Sequence, residues 1–276
     1  MFAAKMIRIA IIGAFASISA VASATAIHDA AQFNDFTLAA NDDGSTDLVN
    51  VGFNLNFFGT TYNSLFVNNN GNVTFDRALS TYTPFGLTNN LFPIIAPFLA
   101  DIDTRGTGSA LVHYGQGTVN GRNAFGVNWI NVGYFSSQTD KLNSFQLILT
   151  DRSDVGAGDF DIEFNYDQIL WETGSASGGT GGFGGTSAAM GYTDGGIHDY
   201  EYAGSRVNGA FLDTNQANGL VNNSLGSNTL GQYVFNVRNG NVTTGQDPVN
   251  NVPEPASLAL LGLGFAGLAA ARRHKA

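Results

Sequence analysis

The stretch Asp159-Phe160-Asp161-Ile162-Glu163-Phe164-Asn165-Tyr166-Asp167 alternates polar and apolar residues along its whole length, which is the two-residue period of a half-buried strand. Residues 65–67, 73–75, 110–114, 125–134, 145–150 and 233–237 read as further strands. Between the two ends of the chain no long stretch keeps the 3.6-residue spacing of an amphipathic helix. Asn70-Gly71 and Asn120-Gly121 each separate two such runs, and they predict hairpins because Asn and Gly accept the positive φ that tight turns require. About ten short strands at this spacing predict an all-β fold, an antiparallel β-sandwich or barrel-like domain. Trp129, Phe145, Phe160, Phe164 and Trp171 are its expected filling, each worth about 1.5–3 kcal/mol when buried.

The two ends follow a different pattern. Residues 1–26 place Lys5 and Arg8 before an apolar run, 9–22, and then offer small-residue cleavage sites ending at Ala24 and Ala26. This is the layout of a secretory signal peptide helix. The run would cover roughly 21 Å at 1.5 Å per residue, short of a ~30 Å hydrocarbon core. At the other end an Asn-rich linker, 241–251, leads to Val252-Pro253-Glu254-Pro255, an apolar run, 256–271, and a basic tail, 272–276, that includes Arg272 and Arg273. The run predicts a C-terminal single membrane-spanning helix of roughly 24 Å, long enough if the arginines snorkel and the bilayer thins slightly. The basic cluster would stay cytoplasmic and leave the preceding domain on the far side of the membrane.

Composition narrows the field. The absence of cysteine excludes disulfide frameworks and thiolate metal sites, and 43% hydrophobic residues supply a real core. Between Ile27 and Val252 lie 21 of the 22 acidic residues and only 7 of the 12 Lys and Arg, a formal charge of -14. Such a surface repels phosphate backbones, so nucleic acid is not an expected partner. Cations, neutral sugars and other proteins stay open.

Candidate chemistry is sparse. Gly179-Thr180-Gly181-Gly182-Phe183-Gly184 has G-x-G-x-x-G spacing but lacks the helix start a dinucleotide site needs. The Gly, Ser and Thr segment 174–187 around it reads as a mobile surface excursion. Asp101, Asp103 and Gly106 imitate the opening of a calcium loop, yet Arg105 takes its fifth position and Val112 its twelfth, where a bidentate Glu belongs. Asp101 and Asp103 are therefore candidate ligands of a non-standard calcium site, with Arg105 expected to pair with one of them. The loop Asn41-Asp42-Asp43-Gly44 is a second place that could hold calcium weakly. Asp159, Asp161 and Glu163 share one strand face and are expected simply to face water. His198 lies near Asp194 and Asp199, but no nucleophile elbow accompanies it. No catalytic residue is expected and the chain reads as a non-enzyme.

Two segments resemble known families. Residues 252–276, through Pro253-Glu254-Pro255, the short apolar run and the Arg cluster, resemble the PEP-CTERM sorting signal of Gram-negative bacteria that make extracellular polysaccharide. That resemblance implies export by the Sec translocon, trimming by signal peptidase, and recognition by exosortase, an intramembrane cysteine transpeptidase. Residues 92–105, Phe-Pro-Ile-Ile-Ala-Pro-Phe-Leu-Ala-Asp-Ile-Asp-Thr-Arg, resemble the signature of the nidogen-like (NIDO) domain. The likeness continues through Gly71-Asn72-Val73-Thr74-Phe75, Phe125-Gly126-Val127-Asn128-Trp129, residues 143–149 and 160–166, Trp171 and Ala189-Met190-Gly191-Tyr192. Leu99 departs from the Trp that many members carry there.

The expected organisation is a signal peptide at 1–26, an N-terminal segment at 27–49, a NIDO domain at 50–240, a linker at 241–251 and a sorting signal at 252–276. The resemblances imply an exported, transiently membrane-anchored protein of the cell surface or matrix, with extracellular polysaccharide or surface proteins as partners in adhesion or biofilm assembly. The alternative is a lectin-like or carbohydrate-cleaving jelly roll.

Overall fold

The computed structural model describes residues 26–88 and 90–244. It is all β with three short 3-10 turns. In chain order the strands are β1 (Phe36–Leu38), β2 (Val49–Phe57), β3 (Thr60–Asn68), β4 (Asn72–Thr74), β5 (Pro93–Leu99), β6 (Val112–Val119) and β7 (Arg122–Tyr134). They continue with β8 (Gln138–Asp151), β9 (Phe160–Gln168), β10 (Ala189–Asp194), β11 (Asp199–Glu201), β12 (Gln232–Arg238) and β13 (Asn241–Thr244). All pair antiparallel in two sheets, ordered β1-β6-β7-β8-β9-β12-β13 and β11-β10-β5-β4-β3-β2. Aromatic contacts join the sheets face to face: Phe57 meets Phe160 at 6.3 Å, Phe98 meets Phe145 at 5.2 Å and Tyr192 meets Phe235 at 5.3 Å between ring centroids. The fold is thus a sandwich, and the five aromatics named from the sequence all lie fully buried in it.

Each outer face is partly covered as well, which explains the unbroken apolar run of β5. Ile95 and Phe98 enter the central core, whereas Ile94, Ala96 and Leu99 form a second cluster with Leu79, Leu87 and Ala189. Pro97 has no N–H to give to a ladder, and the pairing of β5 with β10 shifts register between Ala189 and Gly191 opposite it. Its carbonyl accepts a 2.6 Å hydrogen bond from the buried Tyr166 hydroxyl. On the other sheet a 3-10 turn, Ala30–Phe33, is capped by the Asp29 side chain and presses Phe33 onto Val119, Ala124 and Ile148. A β-carbon at Gly126 would overlap the Phe33 ring.

Some expectations need correction. The segment 27–49 belongs to the domain: β1 pairs with β6, and β2 already begins at Val49. The start of the linker, 241–244, is strand β13 on β12. The segment 174–187 is packed rather than loose, because the Gly182 carbonyl accepts the N–H groups of Glu172 and Thr173, and Ser177 and Ser187 are buried. Its G-x-G-x-x-G leads into strand β10, not into a helix. The acids at 159, 161 and 163 do not simply face water. Asp161 holds Arg152 at 2.8 Å and Arg238 at 2.7 Å, Glu163 holds His28 at 2.6 Å, and Asp159 is buried against the Asn239 N–H.

The two hairpin signals divide. Asn120 and Gly121 both take positive φ between paired Val119 and Arg122, a two-residue type I′ turn. In the other, Asn68 pairs with Asn72, so three residues turn and of them Gly71 takes positive φ. Among the described residues no helix is long and apolar enough to cross a membrane. The expected signal helix through residue 25, with Ala24, and the expected sorting signal, with Pro253, Glu254, Pro255, the run 256–271, Arg272 and Arg273, lie outside the described residues. Ala26 is described and buried.

Gly71→Ala, whose new β-carbon would overlap the Phe98 carbonyl oxygen at positive φ, should lower unfolding stability by about 2 kcal/mol or more in urea. A neutral effect would mean the turn relaxes freely. The hydrogen bond to Glu163, opposed by burial, raises the His28 pKa. The resulting stability is complete below the unfolded value of about 6.5 and is lost as pH climbs from there through the raised folded-state value. The wild-type melting temperature should therefore fall more between pH 6 and 8 than that of His28→Gln, and equal slopes would refute the coupling.

Candidate functional site

One end of the sandwich gathers the acidic residues. The turn Asn68-Asn69-Asn70-Gly71-Asn72 is completely buried, unusual for amides and tolerable only if each is hydrogen-bonded. Asn69 Nδ2 donates to the carbonyls of Asp42 and Ile102, both at 2.6 Å, while its own carbonyl accepts Trp129 Nε1 at 3.0 Å. Asn70 Oδ1 accepts the Ile102 N–H at 2.9 Å, and its Nδ2 donates to Asp43 Oδ1 at 2.8 Å. These bonds carry the Asn41–Gly44 loop, which follows β1, onto the residues that follow β5.

The two aspartates singled out from the sequence part company here. Asp103 is buried and accepts Arg105 Nε at 2.8 Å, Arg105 Nη2 at 2.6 Å and the Ser137 N–H at 2.8 Å. Burial pushes its carboxyl up, but the Arg105 side chain and the backbone N–H groups of Arg105 and Ser137 outweigh that and hold it below the usual carboxylate range. Asp101 instead joins Asp42 and Asp43, with one carboxylate oxygen of each within 4.8 Å of the others. Asp101 is 1% exposed and its Oδ2 has no hydrogen-bond partner, nor has the buried Asp42 Oδ1. Burial and then repulsion from Asp42, Asp43 and Asp103 push Asp101 up to about 7, and burial, Asp103 and Asp43 push Asp42 up to about 6, each against the pull of Arg105. Arg105 Nη2 also reaches Asp42 Oδ2 at 2.9 Å, so this cation is shared between two acids. The acidic pair Asp42-Asp43 is visible in the sequence, but no local spacing reveals that it folds against Asp101.

A cleft opens where the β1 edge of one sheet passes β2 of the other. Phe36, Leu38, Thr46, Asp47, Leu48, Val49, Asn50, Tyr114 and Gln116 line about 480 Å³. Phe36 is 59% exposed and stacks on its cross-strand partner Tyr114 with ring centroids 5.6 Å apart. Burial and the nearby Asp47 raise the Tyr114 pKa. Nothing in the sequence singles out Phe36, because a three-residue strand carries almost no period. His198 Nδ1 lies 2.7 Å from Asp194 Oδ2 with its ring stacked on Phe58 at 4.8 Å, an arrangement that fixes the ring as a packing element.

Comparison with known proteins gives two family matches. Residues 13–236 match the family described as NIDO related, and residues 251–273 match the PEP-CTERM protein-sorting motif. Alpha-tectorin of Homo sapiens is 32% identical over 201 residues, covering 63% of this chain and 9% of that protein. Alpha-tectorin of Gallus gallus is 30% identical over 206 residues, with the same coverage. Nidogen of Drosophila melanogaster is 31% identical over 138 residues, covering 41% of this chain and 10% of that protein. The chain thus spans about a tenth of the length of the curated relatives it matches. No solved structure matches it significantly.

Proposed function

The chain belongs to the NIDO-related family and carries a PEP-CTERM sorting motif, and from that premise we propose that it is an exported surface protein of adhesion or biofilm assembly. The observation that carries the proposal is the joining, on one chain, of an extracellular type of domain to an exosortase address. In this reading the Sec translocon exports it, signal peptidase trims it near Ala24 or Ala26, and exosortase recognises Pro253, Glu254 and Pro255. Arg272 and Arg273 act as the topological stop during a transient stay in the inner membrane of a Gram-negative cell.

The domain acts by binding, not by catalysis. Most glycosidases use two carboxylates flanking the scissile bond, whereas Asp47 is the one acid among the residues lining the cleft. The cleft favours carbohydrate as the partner. Sugar rings stack on aromatic faces through their C–H groups, and Phe36 on Tyr114 provides such a face with Asp47, Asn50 and Gln116 beside it for hydroxyl groups. The net acidity of the domain fits a neutral polysaccharide better than an anionic one.

Deleting residues 252–276 should move the protein from the cell surface into the medium while the circular dichroism and melting temperature of the domain stay unchanged. Unaltered surface retention would refute the sorting role. On a glycan array, Phe36→Ala should weaken binding at least tenfold with little loss of stability, since the ring is largely exposed. Full binding by that variant would remove the cleft from the proposal.

A further inference from the structure

The acidic end of the sandwich has a chemistry that adhesion through the cleft leaves unused. Two oxygens sharing one calcium ion each lie about 2.4 Å from it and so at most about 4.8 Å apart. Asp42, Asp43 and Asp101 satisfy that limit as they stand. Proximity alone would not argue for an ion, because acidic clusters are common. The second observation is the state of Asp101: its side chain is buried, points into the cluster, and leaves Oδ2 with no hydrogen-bond donor. A carboxylate removed from water needs a partner of opposite charge or a donor. Among the described residues the cation beside the cluster, Arg105, makes its ion pairs with Asp103 and with the other oxygen of Asp42, and pulls on Asp101 without pairing with it. The buried Asp101 carboxylate thus lies against two further carboxylates, while its Oδ2 and Asp42 Oδ1 both lack a donor.

We propose that Asp42, Asp43 and Asp101 bind a calcium ion that fastens the loop between β1 and β2 to the end of β5. Water would complete the six to eight oxygens that calcium takes, and calcium, which accepts irregular geometry, suits such a set better than magnesium with its strict octahedron. Asn70 Nδ2 fixes Asp43 from behind through its Oδ1, and Arg105 fixes Asp42 through its Oδ2. Both aspartates are therefore oriented before an ion arrives. With three carboxylates and water, the expected dissociation constant is on the order of 10⁻⁴ to 10⁻³ M, the range of extracellular calcium modules. The site stands whether or not the cleft binds sugar.

The test uses the full-length chain, stripped with EDTA, and titrated with calcium chloride by isothermal calorimetry and thermal melting. One calcium per chain is expected, together with a rise in melting temperature that magnesium chloride reproduces only weakly. Asp101→Asn should reduce calcium affinity at least tenfold and, by relieving repulsion, should melt higher than the calcium-free wild type. Asp43→Asn provides a second variant with the same expected loss of affinity in case the first is misfolded. No calcium heat or thermal shift in the wild type would overturn the proposal. So would binding that both variants retain undiminished, since that would place the ion on the general acidic surface.

Discussion

The structure depends on a buried turn of amides. Asn69 and Asn70 sit between the sheets at one end of the sandwich, where water cannot satisfy them. Their side chains bond to Asp42, Asp43 and Ile102, and the Asn69 carbonyl receives the indole N–H of the fully buried Trp129. A buried amide left unpaired costs about 1–3 kcal/mol, so these partners must arrive together or not at all. The loop after β1, the end of β5 and strand β7 are fixed relative to one another by this requirement. Gly71 completes the turn, since the Phe98 N–H donates to its carbonyl at 3.2 Å and the Phe98 carbonyl occupies the space of a β-carbon.

That constraint has a consequence for charge. The same hydrogen bonds that satisfy the amides draw Asp42 and Asp43 over Asp101, concentrating negative charge in a region of low dielectric. Arg105 relieves part of it by gripping Asp103 and touching Asp42. Asp101 feels Arg105 only as a weaker pull, with no ion pair to it. The cleft at β1 and β2 lies along the same loop segment, since Thr46 and Asp47 line it a few residues beyond the acidic pair. Order in the loop and the shape of the cleft are thereby linked through the chain itself.

Much of this was legible in the sequence where a period existed. The alternation at Phe160, Ile162 and Phe164 correctly gave β9, and Asn120-Gly121 correctly gave a two-residue turn. The class of fold followed from such elements, and the NIDO likeness rested on residues 92–105, whose two prolines and unbroken apolar run are accounted for by a strand covered on both faces. What the sequence does not reveal is long-range. Nothing local distinguishes Asn69, a buried linchpin, from a solvated turn residue, or ties Asp42 to Asp101. Strands as short as β1 and β11 have no measurable period, so Phe36 was not recognised as half of an aromatic platform. Asp161 and Glu163 read as solvated because their partners Arg152, Arg238 and His28 come from other segments.

The central claim is that a folded β-sandwich is delivered outside the inner membrane and handled by its tail. Intact-mass spectrometry of the native protein from cell-surface and culture-supernatant fractions tests it most directly. The account requires a product that has lost its first 24 to 26 residues and has been cut or modified at or after Val252. A product recovered from the cytosol at the mass of all 276 residues, with none outside, would contradict it.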